Sequence, residues 1–364
     1  MKKAEAPCRR ILLLCAGGIG DFIEAVPSIA ALRGANPERF IGLLAVDRCA
    51  EYARRCPQVD RVYAWPYWNN EMGWMSKFWR GLQALAILWK MRKDRFDAVF
   101  NFMGLGSKAG AFRMRMLVRC LGVRTAAGRD TDGLGDFYDL KVPEHERERK
   151  SESDYFHAVA RLLEADLPAP RVPTLWILSC EKDQVDAWLR DWGEAGPLFL
   201  LHPGGDRETR RWFAPRYARL VTELSVNYKA RFAILGSAGD VPIAENIARS
   251  APGAAIRIFS GRANLGQSLE LIRRARILIC NNSMAMHAAA AAGTPCVVVC
   301  ASGDIRRDRP PWNREKTVLL WKPFECSPCY FWSCPKPRPM ECMERISVAE
   351  VLRACDSLLA PSKR

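Results

Sequence analysis

Three segments of the chain, two of them glycine-rich, set charged or hydroxyl side chains where a loop enters a helical pattern. The first is Cys15-Ala-Gly-Gly-Ile-Gly-Asp21, directly after an apolar run. Gly18 and Gly20 let the backbone turn tightly and approach a ligand with no β-carbon in the way. Asp21, at the helix start, could act as general base toward a hydroxyl nucleophile. It could equally be a structural charge that complements the helix dipole. The third glycine of the dinucleotide fingerprint is missing at its usual spacing, and only Asp47 stands where a ribose-binding acid would close the second strand.

The second segment is Leu201-His-Pro-Gly-Gly-Asp-Arg-Glu-Thr-Arg-Arg-Trp212. Gly204 and Gly205 free the backbone before Asp206, and Arg207, Arg210 and Arg211 bring positive charge to the loop. Arginine forks suit phosphate oxygens and would stabilise the charge that develops on a departing nucleoside diphosphate. An exposed basic loop is the plainer alternative. The third segment, Asn281-Asn-Ser-Met-Ala-Met-His287, opens an alanine-rich helix. The helix start at Asn282, Ser283 and Met284 offers N–H groups to a diphosphate, with the Ser283 hydroxyl beside them. His287 falls on the first helical turn, near those expected phosphates, although a histidine there can also be structural.

These segments need strands to carry them. Apolar runs at residues 11–15, 41–46, 59–65 and 96–102 read as strands, with helical patterns at 21–33, 76–92 and 108–121 between them. Residues 142–150 are polar and read as a loop; three prolines in 167–173 and the break at 193–197 flank one helix at 179–192. The alternation then restarts, with strands at 198–202, 232–235, 256–259, 277–280 and 297–300 and helices at 215–227, 241–251, 265–275 and 285–292. Strand–helix alternation predicts parallel sheets covered on both faces. The expected fold is therefore α/β, two Rossmann-like domains whose sheets face a central cleft. They span residues 1–175 and 196–345, with a last amphipathic helix within 346–364.

Bulk properties narrow the class. At 364 residues the chain suits two domains, and its 49% hydrophobic content suits buried cores. A net charge of +15 attracts phosphates, whether in nucleotides, nucleic acid or an anionic membrane. No apolar window approaches the roughly 18 residues of a spanning helix, and the short run at 11–16 leads into a glycine loop instead of a cleavage site. A cytoplasmic protein is expected, with peripheral contact at the inner membrane face. Residues 74–93 carry Trp74, Met75, Phe78, Trp79, Leu82, Leu85, Ala86 and Trp89 at helical spacing, flanked by lysines and arginines. That pattern fits both a helix packed on the sheet and a helix lying in a membrane interface. Among fourteen cysteines, Cys326, Cys329, Cys334 and Cys342 form a CxxC with two followers. The last pair is spaced wider than the usual zinc knuckle, so both a reduced thiol cluster and a zinc site stay open.

Taken together, the three segments resemble glycosyltransferase family 9, the lipopolysaccharide heptosyltransferases of two-domain GT-B architecture. The likeness runs along nearly the whole chain. It is strongest in Ile19-Gly-Asp21 followed by Pro27-Ser-Ile-Ala-Ala-Leu-Arg33, and in Met286-His-Ala-Ala-Ala-Ala-Ala-Gly-Thr-Pro295. The resemblance implies inverting, metal-independent transfer from ADP-heptose to an anionic glycolipid, the lipopolysaccharide inner core, with no cofactor. It puts the catalytic aspartate at Asp21, a basic residue (usually lysine) at Arg210, the acid that reads the donor's nucleoside at Asp240, and the family's histidine at His287. It also implies that the last helix crosses back to the first domain. The family's Asp-Ser/Thr-Gly triplet is Asn282-Ser283-Met284 here. That change removes a charge from the donor pocket and adds bulk at the helix start, so another nucleotide-sugar donor, or nucleotide binding without turnover, is the alternative. An NAD-dependent oxidoreductase is disfavoured by the incomplete glycine fingerprint, and no nucleic-acid motif accompanies the basic charge.

Overall fold

The computed structural model describes residues 8–66, 73–145, 150–193, 196–329 and 331–360. The chain divides between Thr174 and Leu175 into two units. The first contains β1 (Arg10–Cys15), α1 (Ile19–Ala35), β2 (Phe40–Val46), α2 (Asp47–Ala53), β3 (Arg61–Trp65), α3 (Trp74–Lys93), β4 (Ala98–Asn101), α4 (Lys108–Leu121), β5 (Thr125–Thr131), β6 (Leu140–Glu144) and α5 (Glu152–Ala160). The second begins with α6 (Ser179–Trp192), β7 (Leu198–His202), α7 (Ala214–Tyr228), β8 (Arg231–Ile234), α8 (Val241–Ser250), β9 (Ala255–Ile258) and α9 (Leu265–Arg274). It continues with β10 (Ile277–Asn281), α10 (Met284–Ala292), β11 (Cys296–Val299), α11 (Ile305–Asp308), β12 (Thr317–Leu320), α12 (Glu341–Glu344) and α13 (Val348–Leu359).

Each unit is built on a six-stranded sheet, ordered β3-β2-β1-β4-β5-β6 in the first and β12-β11-β10-β7-β8-β9 in the second, with every strand pair parallel. Counted from its own first strand, each sheet has the same order, that of a Rossmann fold. The order reverses between β1 and β4 in one unit and between β7 and β10 in the other. A crevice opens at such a reversal, beyond the carboxyl ends of the strands, because the connecting helices leave to opposite faces. The first and third chemistry-bearing segments follow β1 and β10, and the second follows β7. All three therefore stand at reversal points.

Central strands such as β1 (RILLLC) and β10 (ILICN) are buried on both faces, which is why they read as unbroken apolar runs. Other strands depart from this pattern. β5 (TAAGRDT) and β6 (LKVPE) are polar because they carry a buried ion cluster, and β6 lies inside what the sequence presents partly as a loop. Within the expected loop at 142–150, residues 146–149 lie outside the described residues. β12 is an edge strand, half-buried along most of its length.

The last helix packs within the second unit. Its buried face (Val351, Ala354, Cys355 and Leu359) joins the core of the second unit beside α7, β10 and β11. Tyr228 of α7 donates to Asp356 on the same helix at 2.5 Å. Residues 361–364 lie outside the described residues. Helix α3 divides its residues unexpectedly. Ile87, Leu88 and Met91 face the core, while Met75, Phe78, Trp79, Leu82, Leu85 and Trp89 face outward. The side chain of Trp74 lies outside the described residues.

Candidate functional site

In the first unit, α1 begins at Ile19 and Asp21 occupies its first turn. The Asp21 Oδ2 accepts the Gly18 N–H at 2.6 Å, so the carboxylate folds back over the loop and satisfies a helix-start donor. This bond fixes the direction of the carboxylate. It also explains Gly17: a β-carbon there would stand 2.3 Å from Oδ2. Behind the loop, burial and the nearby Asp21 push the Cys15 thiol well above its ordinary range and that of Cys49 up to about 12, so both stay protonated.

The neighbouring loop, after β4, is held by a buried cluster that the sequence does not announce. Arg129 on β5 is 1% exposed. Its guanidinium pairs with Glu144 on β6 and Glu152 on α5, donates to the Phe102 carbonyl at 3.3 Å, and lies 4.2 Å from the Tyr155 ring centroid. Thr131 donates to Glu144 at 2.6 Å and accepts the Leu105 N–H at 3.0 Å. Arg129 and Thr131 thus fix both ends of the 102–105 turn, on the sheet edge that carries Asp21. The only legible trace was an arginine and a glutamate in segments polar for strands, with a second glutamate opening the next helix.

In the second unit, one residue organises the site. Asn281, at the end of β10, is fully buried. Its amide donates to the Pro203 carbonyl at 2.7 Å and the Gly204 carbonyl at 3.1 Å. Its oxygen accepts from the Trp212 N–H and the Tyr217 hydroxyl, both at 3.1 Å. A single side chain therefore ties the loop after β7 to the start of α10. Sequence reasoning passed over it; its signal is an asparagine closing an otherwise apolar strand.

Around that tie the expected residues take distinct places. Gly204 packs directly on Asp240, whose carboxylate would lie 2.5 Å from any β-carbon at Gly204. Asp240 is buried, accepts the Ser237 N–H at 2.8 Å and hydroxyl at 2.7 Å, and faces Arg211 at 3.9 Å. Arg211 turns into its own loop and donates to the Gly205 carbonyl at 3.0 and 2.7 Å. Arg210 lies 3.6 Å from the exposed Asp206, and its Nε is buried with no hydrogen-bond partner among the described residues. Of these two arginines, Arg211 is committed to the loop, while the Arg210 Nε has no hydrogen-bond partner among the described residues.

Ser283 precedes α10, and its hydroxyl stands 3.3 Å from Nδ1 of His202. Burial pushes the His202 imidazole below its ordinary 6.5 against the pull of Asp240, so it is neutral at neutral pH. Asn282 is buried and donates to Asp308, while Met284 is half-buried at the helix start. His287 is buried on α10. The carboxylate absent from position 282 thus has a near neighbour at Asp308. Gly303 allows this approach, because a β-carbon there would lie 2.2 Å from the Asn282 amide nitrogen.

The cysteine-rich segment braces the same loop. Thr209 donates its hydroxyl to the Phe331 carbonyl at 2.7 Å, and the Trp212 indole donates to the Ile346 carbonyl at 3.1 Å. Cys326, Cys329, Cys334 and Cys342 are free thiols, and burial raises Cys342. Among the described residues no group of three or more His, Cys, Asp or Glu side chains is arranged to hold a metal ion.

The sequence matches the model of glycosyltransferase family 9 (heptosyltransferase) over residues 85–338. The chain belongs to glycosyltransferase family 9. As a family 9 member it is a glycosyltransferase, and its Rossmann-like sheets serve sugar transfer instead of the nicotinamide chemistry they could also support. It is 22% identical over 328 residues to lipooligosaccharide heptosyltransferase 2 of Haemophilus ducreyi, an alignment covering 85% of this chain and 88% of that protein. A shorter match, 31% identical over 128 residues, reaches lipooligosaccharide heptosyltransferase 2 of Haemophilus influenzae and covers 34% of this chain and 36% of that one. In fold the chain is similar to E. coli ADP-heptose LPS heptosyltransferase II, with TM-score 0.69, 19% identity, and coverage of 96% of this chain and 98% of that one. All three chemistry-bearing segments lie where this two-Rossmann, GT-B type fold presents loops.

Proposed function

We propose that this family 9 enzyme transfers heptose from ADP-heptose, with inversion at the anomeric carbon, to an anionic glycolipid acceptor of the lipopolysaccharide inner core. It would work in the cytoplasm, in peripheral contact with the inner membrane. The relatives' names supply the donor and acceptor class. The observation that carries the mechanism is the Asn281 tie, which holds the Gly204–Asp206 loop beside the helix start at Ser283.

In the second unit, the backbone N–H groups of Gly204, Gly205 and Asp206, the Ser283 hydroxyl at the start of α10, and the Arg210 guanidinium, whose Nε lacks a hydrogen-bond partner among the described residues, would hold the diphosphate. Negative charge grows on that group as the sugar leaves, so fixed donors lower the barrier without rearranging. Asp240, beside the Gly204 loop, would face the nucleoside. His287 would steady the phosphate end of α10. In the first unit, Asp21 would take the acceptor hydroxyl's proton as the oxygen attacks. A hydroxyl is far less acidic than a carboxylic acid, so the proton moves in concert with attack on an oxocarbenium-like carbon. No step calls for a metal or cofactor.

A retuned donor is the second reading. The Asn282–Asp308 bond and the half-buried Met284 occupy the place of the family's acid and glycine, where the nucleotide's phosphates would rest. The deciding experiment is ADP release from ADP-heptose with and without a deacylated inner-core acceptor, in wild type and Asp21→Asn. Acceptor-dependent release, lost in Asp21→Asn while donor binding persists, supports the first reading. No release with ADP-heptose, but turnover with a UDP-, GDP- or dTDP-sugar, moves the assignment to the second.

A further inference from the structure

A helix at a domain surface turns one apolar stripe inward; α3 has two. Ile87, Leu88 and Met91 serve the core. A separate stripe, Met75, Phe78, Leu82, Leu85 and Trp89, recurs every three and four residues and faces water, with Phe78 58%, Leu85 62% and Trp89 57% exposed. Trp79 extends it at 62%. Helix α4 packs beside α3 and presents Phe112 and Met116 outward. Two adjacent helices thus each expose large apolar side chains, and six of these lie on α3 alone.

Charge identifies what covers it. Helix α3 carries Lys77, Arg80, Lys90, Arg92 and Lys93, and α4 carries Lys108, Arg113, Arg115 and Arg119; neither holds an acidic residue. Among the described residues, Arg80 pairs with Asp47 at 2.9 Å, Arg115 pairs with Asp136 at 2.5 Å and Arg92 donates to the Cys120 carbonyl at 2.5 Å, so the helices keep a strong positive excess. Lys93 lies 3.7 Å from the Trp89 ring centroid. A second copy of the chain would suit the stripe's spacing but not its borders. The flanking positions Trp79, Gly81, Ala86 and Leu88 offer no ion pairs, and two such faces would oppose cation to cation. A surface of lipid phosphates reverses that sign.

We infer that the α3–α4 face is the surface by which the protein lies on an anionic lipid bilayer. The apolar stripe sits at the boundary of headgroups and acyl chains, the tryptophan rings lie at headgroup level, and the lysines and arginines meet phosphates. A cavity of about 630 Å³ beside the stripe links this face to the sheet edge. Trp79, Arg80 and Lys90 line it from α3, and Asp47 and Pro66 from the ends of β2 and β3. β3 is two strands from β1, or roughly 10 Å, so a lipid-linked acceptor would reach the edge that carries Asp21. The inference rests on the proposed membrane contact, but not on the donor or on turnover.

The test is co-sedimentation of the full chain with vesicles of phosphatidylglycerol and phosphatidylcholine, or of phosphatidylcholine alone, at low and high salt. Wild type is expected to bind the anionic vesicles at least about tenfold more tightly, and to weaken in salt. Phe78→Ser/Leu85→Ser/Trp89→Ser and, separately, Lys90→Glu/Lys93→Glu should each lose about tenfold or more, with unchanged thermal melts. Failure of wild type to bind anionic vesicles, or equal binding by both variants, overturns the inference. So does a dimer in sedimentation equilibrium that the triple variant dissolves, which would assign the face to a second copy. Vesicle binding without ADP release from any donor would sink the functional reading and leave this one standing.

Discussion

The α-carbon of Gly17 lies against the Asp21 carboxylate so closely that a β-carbon would stand 2.3 Å from Oδ2. The second unit repeats the device, with Gly204 packed on Asp240 at 2.5 Å. In both, a glycine after the first strand of a Rossmann-like sheet leaves room for a carboxylate that caps a helical turn. Gly17→Ala should therefore displace Asp21 without unfolding the sheet. The expected result is a fall in kcat of about 10²-fold or more with donor affinity kept. Steady-state ADP release combined with calorimetric donor binding reads both quantities, and a Gly17→Ala enzyme of normal kcat would remove Asp21 from the mechanism.

Arg210 and Arg211 are adjacent but differently employed. Under the proposed mechanism Arg210→Ala should lower kcat by about 10²–10³-fold, because it removes a donor to the leaving diphosphate. Arg210→Lys should recover part of that loss by restoring the charge without the fork. Arg211→Ala should act mainly on stability, through its lost bonds to Gly205. Equal kinetic effects at the two positions would contradict this division.

Asn281→Ala strands two carbonyls, an N–H and a tyrosine hydroxyl in the buried core. The expected cost is about 3 kcal/mol, or a Tm lower by roughly 6–10 °C. Donor affinity should fall with it, since the Gly204 loop loses its tie. A thermal melt within one degree of wild type would show that the tie is dispensable.

Arg129→Met leaves Glu144 and Glu152 buried without their counter-charge, at a cost of about 3–5 kcal/mol in urea unfolding. Adding Glu144→Gln and Glu152→Gln should restore part of the loss, because the uncompensated charges go with them. A triple variant weaker than the single one would mean that packing, not charge, governs the cluster.

Burial raises the Glu350 carboxyl, but Lys322 and the Ser347 N–H and hydroxyl outweigh it and hold the group at about 2 instead of 4.5. A depressed carboxyl stabilises the fold above the unfolded value, and that stability fades as pH falls from 4.5 through about 2. Glu350→Gln should thus cost about 1 kcal/mol at neutral pH through the lost cap of α13, and almost nothing near pH 2. Chemical unfolding at several pH values separates this from a pH-independent packing loss.

The strand–helix alternation and the three loop segments were legible in the sequence, because strands buried on both faces and glycines at tight turns leave local signatures. Asp21, Arg210 and Ser283 stand out as candidates in the sequence because the chemistry open to them follows from residue type and neighbours. Local pattern could not show that β5 and β6 are strands, since a tertiary ion cluster permits their polar residues. Nor could it show that Asn281 holds the Gly204 loop across 77 residues of chain, that Arg211 turns away while Arg210 does not, or that Asp308 meets Asn282. Helix α3 shows the limit most plainly. Its spacing announced an amphipathic helix, but which stripe meets the core and which meets water depends on neighbours distant in sequence. Periodicity records that a face is apolar, and only packing determines what that face touches.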